Sequence, residues 1–171
     1  GLPMFVVEVP LADPDTRTQA RLEYLVAQFQ EGIRWMERVT GREYDDERLI
    51  QATNITLKSQ KLWGEICLLN GAIPAPMNVR SKASIMAVPL MRRHESVAVE
   101  FLTALRDEMK YRVENKIAAV ASERARVLTD QMPPWYAISG VKYTEMFYGA
   151  VWVGMWTYAR LLGLFRVTPD D

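Results

Sequence analysis

The sequence predicts an α/β protein that is mostly helical, and two observations support this fold class. Apolar residues recur at spacings of three and four through a long middle stretch, which is the period of amphipathic helices. Short apolar runs rich in β-branched residues occur near both ends, at Met4–Val9 and from Arg126 onward, as is typical of buried strands. The predicted order is one strand, a helical middle segment, and the first β-α-β unit of a sheet.

Composition narrows the classes of function. The 171 residues are 49% hydrophobic and 25% charged, which is ordinary for a globular protein with a core. Lys plus Arg and Asp plus Glu both number 21, so the basic excess of a nucleic-acid-binding protein is missing. The single cysteine, Cys67, and the single histidine, His94, exclude a disulfide framework or a Cys/His metal site built from this chain alone. A reducing cytoplasm is the expected compartment.

The first predicted strand and helix have clear boundary signals. Pro3 and Pro10 flank the strand, and prolines stop a strand from extending. Asp13 as N-cap and Pro14 at the first helical position begin the helix, and Gly41 ends it. The predicted buried face of this helix consists of Leu22, Leu25, Val26, Phe29, Ile33 and Met36.

Three further helices are predicted in the middle segment. One begins at the acidic run 45–47, which complements the helix dipole, and ends near residues 70–71. After the connector Pro74–Pro76, a shorter helix over residues 81–91 ends or bends near Pro89. A long amphipathic helix over residues 94–124 has an apolar face made of Ala98, Leu102, Leu105, Met109, Val113, Ile117 and Val120.

The last section predicts two buried strands joined by a helix, the first from Arg126 and the second within residues 148–154. The first strand leads into the loop Pro133-Pro134-Trp135, and sites of open α/β sheets lie at the carboxyl ends of strands. A proline pair fixes the backbone, so Trp135 loses little entropy when a ligand binds. Pro133, Pro134 and Trp135 are therefore the candidate substrate-binding residues; the alternative is an ordinary packed loop.

Other features indicate no catalytic set. The apolar run 146–165 contains Arg160, whose insertion costs about 2.5–3.5 kcal/mol, so a membrane span is not expected. There is no glycine-rich phosphate loop. His94 is interpreted as a solvated or capping residue and Cys67 as a small core residue. The basic residues flanking the prolines could bind phosphate, but scattered surface charge is the preferred interpretation for Arg80, Lys82, Arg92 and Arg93.

Five motifs in order resemble a known family: Phe5–Pro10, Val39–Leu49, Pro74–Pro76, Asp130–Trp135 and Tyr148–Val153. Together they are similar to the middle of subunits of the benzoyl-CoA reductase / 2-hydroxyacyl-CoA dehydratase family. The Pro-Pro-Trp loop most resembles the B-type subunit of ATP-dependent benzoyl-CoA reductases. The resemblance covers nearly the whole chain.

The resemblance implies domains and cofactors that go beyond this chain. It implies two Rossmann-like domains, with residues 1–12 ending the first, 13–124 forming the helical middle segment, and 125–171 beginning a truncated second domain. Cysteines of both domains hold a 4Fe–4S cluster in that family, and Cys67 does not match such a position. The resemblance therefore implies no cofactor in this chain and a 4Fe–4S cluster in the full-length protein.

The resemblance also implies a function and partners. We expect a fragment of a catalytic subunit that reduces the aromatic ring of an acyl-CoA with low-potential electrons. Its partners are a paired catalytic subunit and an ATP-hydrolysing activator. The alternatives are a 2-hydroxyacyl-CoA dehydratase subunit and a cofactor-free helical interaction module. The isolated chain is expected to be inactive and to self-associate through its unfinished sheet.

Overall fold

The computed structural model describes residues 3–9, 18–129 and 137–155. They belong to two compact units, one within residues 1–48 and one within residues 49–171. The elements are α1 (Thr18–Thr40), α2 (Asp46–Leu69), α3 (Val79–Ile85), α4 (Ala87–Met91), α5 (Ser96–Glu114), β1 (Ala125–Thr129), α6 (Ile138–Tyr143), a π-helical turn (Thr144–Tyr148) and β2 (Ala150–Met155). The described part is mostly helical with a two-stranded parallel sheet, which agrees with the α/β fold class. The two Rossmann-like domains and their boundaries stay predictions.

The strand predicted over Met4–Val9 does not form, because no strand in the described ranges lies beside residues 3–9. The side-chain amide of Gln28 binds both backbone groups of Glu8, as a neighbouring strand would. Its Nε2 donates to Glu8 O and its Oε1 accepts from Glu8 N, both at 2.7 Å. Phe5 stacks on Trp35 with ring centroids 5.8 Å apart. Residues 3–9 therefore dock on α1 through side chains.

Helix α1 agrees with its predicted end but not with its predicted burial. Gly41 has a φ of +67°, and its N–H donates to Glu37 O at 2.8 Å, so it is the expected C-terminal residue. The predicted start at Asp13 and Pro14 lies outside the described residues. The predicted buried face is largely exposed, because no described element covers its residues Leu22, Val26, Phe29 and Met36.

The hydrophobic core of the second unit lies where α2 packs on α5. Helix α2 begins as predicted at the acidic run, and Asp45 Oδ1 caps it by accepting from Arg48 N at 3.1 Å. The buried cluster consists of Leu62, Trp63, Ile66, Met77, Leu102 and Met109. Leu102 and Met109 belong to the apolar face that the sequence predicts for α5, so helical periodicity located that side of the core correctly.

Helix α5 ends about ten residues before the predicted boundary. It stops at Glu114, and Lys116 adopts a φ of +52°. Ile117 N donates to Arg112 O and Lys116 N to Val113 O, which are the two bonds of a Schellman motif. The prediction was wrong here because this C-terminal cap uses lysine, where glycine is the usual signal.

The helix predicted over residues 81–91 forms as two short helices separated at Met86. Pro89 lacks the N–H that would bond to Ile85 O, so one continuous helix would leave that carbonyl unpaired. The interruption predicted near Pro89 is therefore confirmed, and it lies at Met86, three residues before the proline.

The β-α-β unit forms as predicted, with β1 and β2 parallel and α6 between them. Gly149 joins the π-helical turn to β2 with a φ of +64°, and a Cβ at this position would lie 2.2 Å from Ser122 O. Val151 is buried, but Leu128 is 69% exposed. Strand β1 is thus not the buried strand that was predicted, because no described element covers that side of it.

Candidate functional site

The most unusual backbone feature of the sheet is a bulge in β2. Val127 pairs with Trp152 and Leu128 pairs with Gly154, so Val153 is an extra residue without a partner on β1. Bulges turn a strand and are common next to functional sites. This one lies in the carboxyl half of β2, where α/β sheets place their ligands.

The carbonyl of Val153 is bound by two buried side chains. Asn70 Nδ2 donates to Val153 O at 2.8 Å, and Lys82 Nζ donates to the same oxygen at 3.2 Å. Asn70 also accepts at Oδ1 from Met77 N at 2.9 Å. Asn70 therefore connects the end of α2, the connector before α3, and the bulge.

Lys82 is only 4% exposed, so its interpretation as a surface charge was wrong. Burial lowers the pKa of Lys82, and interaction with Cys67 opposes that shift. Burial likewise raises the pKa of the Cys67 thiol, which Lys82 opposes. Both groups are thus shifted toward their neutral forms. Reasoning from the sequence missed this burial because Lys82 stands beside the polar residues Arg80 and Ser81, which is typical of an exposed segment.

Glu145 binds the neighbouring peptide unit of β2. It is 3% exposed, and its Oε1 accepts from Trp152 N at 3.4 Å and from Val79 N at 3.1 Å. Burial raises the pKa of the Glu145 carboxyl, and the two backbone bonds oppose that rise. Glu145 belongs to the π-helical turn, a conformation that is frequent at functional sites. We call Asn70, Lys82 and Glu145 the strand anchor.

The connector between α2 and α3, residues 70–78, is also held from the side of β1. Glu123 Oε2 accepts from Ala75 N at 2.7 Å. The guanidinium of Arg126 donates to Gly71 O at 2.8 Å and to Ala72 O at 3.0 Å, and it pairs with Glu123 at 2.6 Å. Both strands are therefore fixed to the same connector by buried or half-buried polar groups.

A shallow groove opens beside this connector, on the surface shared by α2 and α5. It is wide open to solvent, and its lining residues are Glu65, Leu68, Leu69, Ala72 and Lys110. Such an open depression cannot by itself exclude water from a bound ligand. An enclosed substrate site needs walls beyond these residues.

The candidate residues from the sequence have different outcomes. Pro133, Pro134 and Trp135 lie outside the described residues, so their role stays a prediction. His94 is exposed, with its Nε2 3.9 Å from Glu95 Oε1, which agrees with a solvated residue. Cys67 packs against the core cluster, as interpreted.

One cysteine cannot supply the sulfur ligands of an iron–sulfur cluster, which usually number four. Within the described ranges, no three His, Cys, Asp or Glu side chains converge as metal ligands. Cys67 itself packs against the core cluster, where burial raises the pKa of its thiol. In the same part of the chain, every helix is too short or too polar to cross a membrane.

The fold and the strand anchor define an α/β protein in which a helical segment and its connector hold both strands of a parallel pair. The chain belongs to the 2-hydroxyglutaryl-CoA dehydratase D-component family, whose profile matches residues 2–164. This confirms the broader resemblance seen in the sequence. The particular likeness to the benzoyl-CoA reductase B-type subunit is not shown.

Three relatives are similar to the chain over most of its length. It is 25% identical over 162 residues to the (R)-2-hydroxyisocaproyl-CoA dehydratase alpha subunit of Clostridioides difficile, covering 88% of this chain and 40% of the relative. It is 25% identical over 171 residues to the (R)-phenyllactyl-CoA dehydratase alpha subunit of Clostridium sporogenes, covering 99% of this chain and 42% of the relative. It is 27% identical over 136 residues to the (R)-2-hydroxyglutaryl-CoA dehydratase subunit alpha of Acidaminococcus fermentans, covering 79% of this chain and 28% of the relative. The chain thus spans less than half the length of these curated relatives.

Proposed function

We propose that this chain is part of a catalytic subunit of a 2-hydroxyacyl-CoA dehydratase. The supporting observation is the family match over residues 2–164, together with three relatives that are each named as such a subunit. The reaction breaks the bond from C2 to the hydroxyl and a C–H bond at C3, so that a 2-enoyl-CoA and water form. The acyl groups in the three names are aliphatic, aromatic and acidic, so they support a substrate class and not one acyl group.

The proposal includes a second subunit, since each of the three relatives is named as an alpha subunit. It also includes a 4Fe–4S cluster and an ATP-hydrolysing activator, which the resemblance to the family implies. We propose that its ligands come from other parts of a longer subunit, because this chain has a single cysteine and such clusters usually take four. Within this chain, the proposed role of the strand anchor is to hold the carboxyl end of β2 in place.

An activity assay tests this function. The longest polypeptide that contains this sequence is produced without oxygen, together with its co-encoded subunit and activator. It is mixed with an (R)-2-hydroxyacyl-CoA, ATP and a reductant, and the ultraviolet absorbance of the conjugated enoyl thioester is followed. We expect enoyl-CoA to form with at least one of the aliphatic, aromatic and acidic substrates. The absence of product from all three would contradict the proposal.

Reduction of an aromatic acyl-CoA ring is the second candidate. It is supported by the likeness of Asp130–Trp135 to the benzoyl-CoA reductase B-type subunit. Benzoyl-CoA in the same assay separates the two functions: loss of ring absorbance without dehydration of any 2-hydroxyacyl-CoA would favour this candidate. The interaction-module alternative gains no support from the family match.

Trp135 is the residue of this chain that we propose as a wall of the substrate site. Substituting Trp135→Ala in the complete enzyme should raise KM or lower kcat for the acyl-CoA by about tenfold, since a buried aromatic contact of 1–1.5 kcal/mol is lost. The conservative variant Trp135→Phe should keep most of the activity. Unchanged turnover and binding in Trp135→Ala would show that the loop only packs.

A further inference from the structure

Helix α2 carries two buried polar side chains that lie one turn apart. Ser59 is 0% exposed and Trp63 is 1% exposed. Within the described residues, neither the Ser59 hydroxyl nor the Trp63 indole N–H has a hydrogen-bond partner. Native proteins pair nearly all such buried groups with protein or with ordered water. We call Ser59 and Trp63 the buried polar pair.

The Ser59 hydroxyl differs from other hydroxyls on these helices. Thr56, Ser84 and Thr103 each donate to the carbonyl four residues earlier, at 2.7, 2.9 and 2.7 Å. This local bond is the usual way for a hydroxyl in a helix to be satisfied. Ser59 does not form it with Ile55 O, so its hydroxyl requires an acceptor of another kind.

The helical spacing brings the two members of the pair together. Side chains at i and i+4 share one face of a helix, with Cβ atoms about 5–6 Å apart. Long side chains on a helix lean toward its N-terminus, so the indole of Trp63 lies over the turn that contains Ser59. The two groups do not bond to each other. A third group is needed to join them.

The surroundings of the pair restrict the chemistry of that third group. Trp63 belongs to the apolar core cluster with Ile66, Leu102 and Met109, which offer no side-chain acceptor. An ion buried there would need a charged partner. Because the pair is closed off from solvent, the ligand must also be very small. Water is neutral, small enough for the interior, and able to accept from both groups.

We infer that α2 holds one buried water molecule between Ser59 and Trp63. The water accepts from Trp63 Nε1 and from Ser59 Oγ, and it donates to the lone pair of Ile55 O that the Ser59 hydroxyl leaves free. Three hydrogen bonds are the usual number for a buried water. The inference concerns the interior of α2 and does not depend on the proposed function.

A crystal structure of the chain at a resolution that shows ordered water tests the site directly. We expect a density peak about 2.7–3.2 Å from both Trp63 Nε1 and Ser59 Oγ. The absence of such a peak would overturn the inference. A Ser59 hydroxyl that is rotated onto Ile55 O would overturn it as well.

Thermal unfolding gives a second measurement. Ser59→Ala removes one partner of the water, so the Tm should fall by about 2–4 °C although alanine favours the helix. Removing an unpaired buried hydroxyl would instead raise the Tm. An unchanged or raised Tm would therefore overturn the inference.

A double variant tests whether the two residues share one ligand. The Tm loss of Ser59→Ala combined with Trp63→Phe should be smaller than the sum of the two single losses, because either change alone already disrupts the water. The matched control is Ser84→Ala, whose hydroxyl bonds within its own helix, and its effect should add to that of Trp63→Phe. Additive losses for Ser59→Ala would contradict a shared water.

Discussion

At the scale of single residues, the structure buries two ionisable side chains against the sheet. Lys82 and Glu145 are both almost fully buried, and both bind the backbone of β2. Burial favours the neutral form of each side chain. The pKa of Lys82 therefore lies below its ordinary value, and the pKa of Glu145 lies above its ordinary value. The free energy of unfolding should therefore depend on pH through the titration of these two residues.

Glu145 should contribute to stability mainly as a hydrogen-bond acceptor. Glu145→Ala leaves the N–H groups of Val79 and Trp152 without this acceptor, and we expect a loss of about 1–3 kcal/mol in the free energy of unfolding measured with urea. Glu145→Gln keeps an acceptor oxygen and carries no charge, so it should be at least as stable as the wild type near pH 7.

The pH dependence gives the control for Glu145. Because its folded pKa is raised, the stability that Glu145 contributes is full at low pH and is lost as the pH rises through that pKa. The advantage of Glu145→Gln should therefore shrink as the pH falls toward about 4. An advantage that grows on acidification would contradict a buried carboxyl group.

Lys82 should have the opposite pH dependence. Its folded pKa lies below the unfolded one, so the unfolded chain binds more protons, and the stability that Lys82 contributes should rise as the pH increases from the folded pKa to the unfolded pKa of about 10. Lys82→Met should remove this rise in urea unfolding. The comparison is made in a Cys67→Ala background, because the thiol titrates in the same range. Equal slopes with and without Lys82 would show that the amine is solvated.

At the scale of elements, local capping decides where the helices end, and one cap was hidden in the sequence. The Schellman motif after α5 places a lysine in the left-handed region, which costs most residues about 1–2 kcal/mol. The sequence predicted α2 and the β-α-β unit well because their boundary residues are the usual acids and glycine. It placed the end of α5 too late because the apolar spacing continues to Val120 beyond the cap.

Replacing Lys116 by glycine should therefore stabilise the protein. We expect Lys116→Gly to add about 1 kcal/mol to the free energy of unfolding, since glycine reaches the left-handed region without strain. The matched control is Lys110→Gly, an exposed position inside α5, which should cost about 1 kcal/mol. If both variants destabilise the chain equally, Lys116 does not occupy the left-handed conformation in solution.

At the scale of the whole molecule, much apolar surface stays exposed in the described part of the chain. It includes Leu22, Val26, Phe29 and Met36 on α1, Leu128 on β1, and a cluster on α6 and the π-helical turn formed by Tyr143, Met146, Phe147 and Tyr148. Uncovered apolar faces and open strand edges favour association.

The isolated chain should therefore self-associate, and the edge of β1 should contribute. Sedimentation velocity should show an average mass that rises with concentration. Leu128→Lys places a charge on the open edge and should weaken this association by about tenfold. Leu57→Lys, on the exposed surface of α2, is the control. Equal weakening by Leu128→Lys and Leu57→Lys would indicate nonspecific association of apolar surfaces. A monodisperse monomer would contradict the prediction.

The sequence by itself determined the fold class, the helical core of α2 and α5, the β-α-β unit and the family, because periodicity, caps and motif order are local signals. Only the tertiary structure decided that residues 3–9 dock without a strand, that Lys82 and Glu145 are buried, and that they hold a bulge in β2. Those facts depend on which side chains meet across distant segments, and a lone lysine on a short helix has the same local pattern whether it faces solvent or a strand.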